Sequence, residues 1–204
     1  MTAPALVIAT GNTHKIEEMK ALLSGFIPGL DQGSVATLAD FSADSPVEDG
    51  LTFSENALIK ARSLAHATGL PALADDSGIS VDALGGAPGV FSARWSGTHG
   101  SDHTNMSLLL AQLADVKDSD RGARFVCAAA LAFPDGSAIV EEGVVEGHLI
   151  REARGTGGFG YDPIFVPDGY TSTTAQMSPE EKNQISHRSR ALKALVPHLE
   201  EILT

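Results

Sequence analysis

Asp75 and Asp76 are adjacent carboxylates in Ala74-Asp-Asp-Ser-Gly78, just past a short apolar run, Ala72 to Ala74, that reads as a strand. The carboxyl end of a strand in an α/β sheet is where ligands gather. Two acidic groups there can hold Mg²⁺, which takes only one or two carboxylates and completes its shell with waters and phosphates, or can take a proton from water. Glu48, just before Asp49-Gly50, offers another oxygen. The plainer alternative is a solvated turn in which Asp76 or Ser77 caps the next segment.

Three further segments carry groups suited to a nucleotide. Thr10, Gly11, Asn12, Thr13, His14 and Lys15 form a strand-to-helix turn, where amide N–H groups and the helix dipole favour an anion and Lys15 adds a full charge. The Gly-x4-Gly-Lys spacing of a Walker loop is absent, and an N-capped helix with a solvated lysine is the alternative. Gly155-Thr-Gly-Gly-Phe-Gly-Tyr-Asp-Pro-Ile-Phe165 combines backbone free of Cβ bulk with an aromatic, Phe159, and a carboxylate, Asp162. A flat heterocycle could stack on Phe159 while Asp162 or nearby amides bond its edge, or the segment is a tight glycine-rich turn. Lys182, His187 and Arg188 supply donors: Arg188 and His187 for a keto oxygen on a base, Lys182 for the base or a phosphate. The alternative is a solvated basic face.

Apolar runs of strand length alternate with helical patterns and imply an α/β protein. Leu6 to Ala9 predicts a first buried strand, and Ile16, Met19, Leu22 and Leu23 line one face of the helix that follows. Thr52 and Glu55 have capping-box spacing and predict a helix that Gly69-Leu-Pro71 stops. On it Asn56 and Lys60, four residues apart, project from one face. If that face meets Asp76, Lys60 can neutralise charge on a transferring phosphoryl group. Gly85 to Gly97 predicts a loop, Asn105 to Leu113 a helix, and Asp115 to Arg124 a polar connector at a lobe boundary. Asp135-Gly136 marks the turn of a hairpin from Phe125 to Val145. Ser178-Pro-Glu-Glu starts a helical pattern that runs to Leu203 and is interrupted near Pro197.

At 204 residues and 43% hydrophobic content the chain can bury one sizeable core. A formal net charge of -12 opposes a nucleic-acid partner, whose backbone would require a broad basic surface. Any phosphate must be met locally. The single cysteine, Cys127, lies in an apolar run and reads as a buried core thiol, which with the absence of a signal segment or a membrane-spanning run implies no membrane and a reducing cytoplasm.

Taken in order, Ala9-Thr-Gly-Asn-Thr-His-Lys15, Gly50-Leu-Thr-Phe-Ser-Glu-Asn-Ala57, Lys60-Ala-Arg62, Ala74-Asp-Asp-Ser-Gly78, Gly85-Gly-Ala-Pro-Gly89, Ser92-Ala-Arg94, Gly155 to Phe165 and Ser186-His-Arg188 resemble the Ham1-like inosine/xanthosine triphosphate pyrophosphatases over nearly the whole chain. The resemblance implies one domain over residues 1–204, with a long mixed central sheet flanked by helices and two lobes with the active site in the cleft between them. It implies Mg²⁺-dependent hydrolysis of non-canonical purine nucleoside triphosphates (ITP, dITP, XTP, dXTP) to the monophosphate and pyrophosphate, by a homodimer. Asp76 would be the proton acceptor and, with Glu48, a metal contact; Lys60, from its spacing alone, is a candidate phosphate contact. Thr10, Gly11, Asn12, Thr13, His14, Lys15, Ser77, Phe159, Gly160, Tyr161, Asp162, Lys182, His187 and Arg188 would bind substrate; His14 stands where many relatives carry glycine or another small residue. Two competing readings are a pyrophosphatase for another nucleotide, such as a modified pyrimidine, and a nucleotide sensor without turnover.

Overall fold

The structure, a computed structural model, describes residues 3–41 and 45–203. Met1 and Thr2 lie outside the described residues. The strands are β1 (Leu6–Ile8), β2 (Val35–Thr37), β3 (Ala72–Val81), β4 (Gly122–Ala132), β5 (Ala138–Leu149) and β6 (Phe165–Pro167). The helices are α1 (Thr13–Phe26), α2 (Phe53–Thr68), α3 (Asp102–Gln112), α4 (Pro179–Ile185) and α5 (His187–Leu203). The strands form a six-stranded sheet in the order β2-β1-β3-β4-β5-β6. Parallel pairing of β1 with β2 and β3, and antiparallel pairing of β5 with β6, make it mixed.

The chain divides into two compact units. The first takes in the described residues up to Asp76, then Cys127–Gly143 and those from Arg188 onward; the second takes in Ser77–Val126 and Val144–His187. The divisions fall inside β3, β4 and β5. Asp115 to Arg124 is therefore not a boundary: it lies within the second unit, where buried Arg121 donates through Nη1 to Leu113 O at 2.7 Å and through Nε to Leu149 O at 2.8 Å. Those bonds tie the segment down at the end of α3.

In the first unit the period-two alternation of strand side chains sorts the core onto two faces. Leu6, Ile8, Leu73, Cys127, Ala129 and Leu131 pack with Met19, Leu22 and Leu23 of α1 and Leu192, Leu195 and Leu199 of α5. Val7, Ala9, Ala72, Ala74, Ala128, Ala130 and Ala132 meet Ala57, Ala61, Leu64 and Ala65 of α2. That second surface is nearly all alanine, so little side-chain bulk separates α2 from the sheet. In the second unit Ile79, Val81, Phe125, Val145 and Phe165 form a core with Leu109 and Leu113 of α3.

Several boundaries follow from local chemistry. Thr52 and Glu55 form the expected capping box, and Gly69 closes α2 in the left-handed conformation at φ 69°. The β4–β5 hairpin turns at Asp135-Gly136, with Gly136 at φ 91°. α3 begins at Asp102, three residues before the predicted start. The C-terminal helical run breaks at Ser186 instead of Pro197. Ser186 is extended at φ -63° and ψ 151°, whereas Pro197 sits inside α5. A serine in extended geometry ahead of a helix is a favoured cap residue, which accounts for the new start there.

Candidate active site

Asp75 and Asp76 lie within β3, which extends to Val81, and not in a turn beyond the strand. Alternation along the strand sends them to opposite faces, so the adjacent pair cannot share one metal ion.

Asp76 points toward α2. Its Oδ2 accepts from Asn56 Nδ2 at 3.2 Å and its Oδ1 from Lys60 Nζ at 3.2 Å. Asn56 and Lys60 are the face of α2 that the four-residue spacing picked out, brought within reach by the alanine-lined contact below it. Lys60 Nζ also donates to Glu48 Oε2 at 3.0 Å, so Glu48 and Asp76 converge on one cation. Gly50 makes this possible: its N–H donates to Asn56 Oδ1 at 2.9 Å, and a Cβ there would stand 2.6 Å from that oxygen. Burial raises the Asp76 pKa above the usual carboxylate value; Lys60 and Lys15 oppose this and Glu48 adds to it. Lys60 is desolvated too, but Asp76, Asp75 and Glu48 keep its ammonium firmly protonated.

Asp75 faces the other way, fully buried beside α1 and α5. Its Oδ2 accepts from Arg188 Nε at 3.1 Å and Nη2 at 2.9 Å, and Lys15 Nζ stands 3.1 Å from it. Burial pushes the carboxyl up, yet Arg188, Lys15 and Lys60 outweigh it and hold Asp75 well below the usual carboxylate range. Arg188 Nη1 bonds Glu18. The guanidinium expected to read a base edge is thus fully buried and engaged by two carboxylates, a geometry that its planar fork favours. Cys127 is buried against the same carboxylate, and burial pushes its thiol up to about 12, as expected of an inert core cysteine.

The turn before α1 is internally capped. Asn12 Oδ1 accepts from the N–H groups of His14 at 3.0 Å and Lys15 at 3.3 Å, and Thr10 Oγ1 accepts from Asn12 N–H at 3.2 Å. The amides of Asn12, His14 and Lys15 are therefore bonded to side chains within the turn. Lys15 is not a solvated lysine but half of an ion pair. Gly11 and Thr13 complete the turn, with Thr13 opening α1.

The second unit holds the other predicted group. Asp162 is nearly fully buried; its Oδ2 accepts from Lys182 Nζ at 2.7 Å and Phe159 N–H at 2.9 Å, and its Oδ1 from Thr174 Oγ1 at 2.8 Å. These bonds make it the organiser of the loop. Lys182 Nζ lies 5.0 Å from the centre of the half-buried Phe159 ring, a cation–π contact. His187 stacks on Phe125 at 4.9 Å with 11° between rings. His187, Lys182, Asp162 and Thr174 line a small pocket enclosing about 10 Å³, the room of one water, so any base must lie at its mouth or displace its walls. Tyr161 is buried and donates from its hydroxyl to Ser92 O at 2.8 Å, which anchors the loop. Gly160 N–H is held by Asp102 Oδ2 at 2.7 Å. Ser77 is half-buried in β3.

Glu18, Thr174 and Asp102 were missed as members of these networks. Thr174 ends the polar run Thr171-Ser-Thr-Thr174 and Asp102 stands in Ser101-Asp-His-Thr104, where nothing in the sequence sets either residue apart from its polar neighbours. Glu18 left one trace, since it follows Lys15 by three residues and shares its face of α1.

Among the described residues no group of three or more His, Cys, Asp or Glu side chains is placed to hold a metal ion. Glu48 and Asp76 form a pair, and a pair fits a magnesium ion whose remaining ligands are waters and substrate phosphates. No helix among the described residues is long and apolar enough to cross a membrane.

The mixed sheet, the helices on its faces and the paired, oppositely biased carboxylates in β3 define an α/β protein with a charged centre built into a central strand. The Ham1 family matches residues 6–198. A protein of Streptomyces coelicolor named dITP/XTP pyrophosphatase is 55% identical over 198 residues, covering 97% of this chain and 98% of the relative. The solved structure of a HAM1 protein from Coxiella burnetii superposes with a TM-score of 0.85 at 43% identity, covering 96% of this chain and 98% of that one. A structure named nucleoside-triphosphatase / dITP/XTP pyrophosphatase, from Mycobacterium abscessus, gives a TM-score of 0.76 at 48% identity over 94% and 98% of the two chains. The chain belongs to the Ham1 family.

Proposed function

We propose that this protein hydrolyses non-canonical purine nucleoside triphosphates, of the ITP and XTP type, to the monophosphate and pyrophosphate. The observation that carries the reading is the contrast along β3. Asp76, buried and raised above the usual carboxylate value, is the one able to exchange a proton, while Asp75 is locked as an anion that holds cations in place. Membership of the family, and the name carried by the 55% identical relative, support the choice of substrate.

Asp76 takes the proton of the attacking water, and Asn56 fixes the orientation of its carboxylate. Lys60 and Lys15, each already beside one of the two aspartates, place positive charge where phosphate oxygens gain negative charge as pyrophosphate leaves. Glu48 and Asp76 would hold Mg²⁺, which when bound supplies further neutralisation of the phosphates. Phe159 provides a stacking face for the base. Lys182 and His187 offer donors to a 6-keto oxygen, and an adenine amino group there would leave buried donors unmatched. The protein acts as a homodimer in the cytoplasm within this reading.

The test is turnover by purified protein with Mg²⁺ and ITP, XTP, GTP, ATP or dTTP, scored as pyrophosphate against orthophosphate. Pyrophosphate release from ITP and XTP well ahead of the others supports the reading; orthophosphate release, preference for dTTP or no turnover removes it. Light scattering of the eluted protein gives the oligomeric state.

A further inference from the structure

Lys15 and Glu18 sit one turn apart on α1 and grip the same buried pair from opposite ends. Lys15 Nζ is on Asp75 Oδ2 at 3.1 Å, and Glu18 accepts from Arg188 Nη1. Between them Arg188 bonds Asp75 through both Nε and Nη2. Two cations and two anions alternate along this chain of contacts, Lys15 to Asp75 to Arg188 to Glu18, and Arg188 and Asp75 are fully buried within it. The helix turn that carries Lys15 is thereby fixed by two contacts of opposite sign. Its Lys15 contact can hold the turn at one point only; the Glu18 contact stops α1 from rotating about that point.

We infer that Glu18 is a positioning residue for phosphate recognition, acting through Arg188 and Asp75 to set the ammonium of Lys15 and the Thr10–Lys15 turn. This rests on the assignment of Lys15 to the phosphate end of the ligand. Glu18 touches no ligand itself. Its carboxylate also balances the Arg188 charge, leaving Asp75 able to serve both Arg188 and Lys15.

The experiment is a double-mutant cycle read by calorimetric binding of inorganic tripolyphosphate to the full chain, a probe that needs no turnover. Glu18→Ala is expected to weaken tripolyphosphate about tenfold, the loss of one charge-assisted contact's worth of order. Glu18→Gln, which keeps an acceptor oxygen for Arg188, should lose only about two- to threefold. In a Lys15→Ala background the same Glu18 changes should matter less than about twofold, because the group they position is gone. Wild-type affinity in Glu18→Ala, or effects that multiply in full with Lys15→Ala, would overturn the inference. If Glu18→Ala does not fold, Glu18→Gln in the same cycle decides by the same two criteria. A wild-type protein that binds tripolyphosphate yet releases no pyrophosphate from any nucleotide would overturn the pyrophosphatase reading alone, and the cycle would still judge Glu18. Failure of wild type to bind tripolyphosphate would overturn the inference about Glu18, and nucleotide turnover would still judge the pyrophosphatase reading.

Discussion

Asp75 and Asp76 are covalent neighbours on opposite faces of one strand, and their proton affinities are driven apart. Asp75 is surrounded by Arg188 and Lys15 on the α1/α5 side, while Asp76 meets Asn56 and Lys60 on the α2 side. Burial penalises both anions, and only for Asp75 do the neighbouring cations outweigh it. A two-residue motif thus yields one permanent anion and one group able to exchange a proton, because a strand turns its side chains by half a revolution per residue.

Loss of the Asp76 carboxylate should therefore affect chemistry more than binding. Asp76→Asn preserves size and keeps one acceptor oxygen for Lys60, although its NH2 then faces the Asn56 donor, and it cannot take a proton. The expected result is a fall in kcat of about 10²-fold or more with a much smaller change in KM. Steady-state ITP hydrolysis measures both; an Asp76→Asn enzyme that keeps most of its kcat would remove Asp76 from the role of acceptor.

The charges around Asp76 make its titration adjustable in a known direction. In metal-free protein the ¹³C resonance of its carboxyl should titrate above 3.8, the ordinary value. Glu48→Gln removes a repulsive neighbour and should lower the midpoint, whereas Lys60→Met removes an attractive one and should raise it. Added Mg²⁺ should lower the midpoint in wild type and do so less in Glu48→Gln, if the two carboxylates share the ion. A midpoint indifferent to Mg²⁺ would exclude Asp76 as a ligand.

Asp75 carries the stability counterpart. Asp75→Asn leaves Arg188 and Lys15 beside a neutral amide in a buried setting, which should cost about 3–5 kcal/mol near neutral pH in urea denaturation. Its folded pKa is depressed, so the unfolded chain binds the proton more readily. The contribution is present in full above the ordinary value of 3.8 and is lost as pH falls below it toward the folded value. The gap between wild type and Asp75→Asn should accordingly narrow in acid. A gap that stays constant down to pH 3 would mean the residue acts by packing and not by charge.

Local rules made much of this fold readable. The capping box at Thr52 and Glu55, the Gly69 stop and the Asp135-Gly136 turn are set by residues within a few positions of one another, and all three occur where the sequence places them. The Asn56 and Lys60 face was legible for the same reason. What the sequence hid was settled over long separations. Ala74-Asp-Asp-Ser-Gly78 looks like a turn because acidic and small residues favour turns. It is instead a buried strand because Arg188, 113 residues away, and Lys15 compensate Asp75, and Lys60 compensates Asp76. The same distance concealed that Arg188 serves Asp75, and that Asp162 is consumed by Lys182 and Thr174.

That last network separates two glycines that look interchangeable in Gly157-Gly-Phe-Gly160. Both Gly158, at φ +68°, and Gly160, at φ +64°, occupy the left-handed region, where a side chain costs about 1–2 kcal/mol. At Gly160 a Cβ would meet nothing within 4 Å, so Gly160→Ala should cost the backbone term alone. At Gly158 it would fall 2.0 Å from Asp162 Oδ2, the oxygen that accepts from both Lys182 and Phe159 N–H. Asp162 would have to move off both donors, leaving the Lys182 ammonium poorly matched and Phe159 unanchored. Gly158→Ala should therefore lower the urea midpoint distinctly more than Gly160→Ala and raise KM for ITP through the displaced Phe159. Equal losses in the two variants would show that the Asp162 contact does not shape this loop.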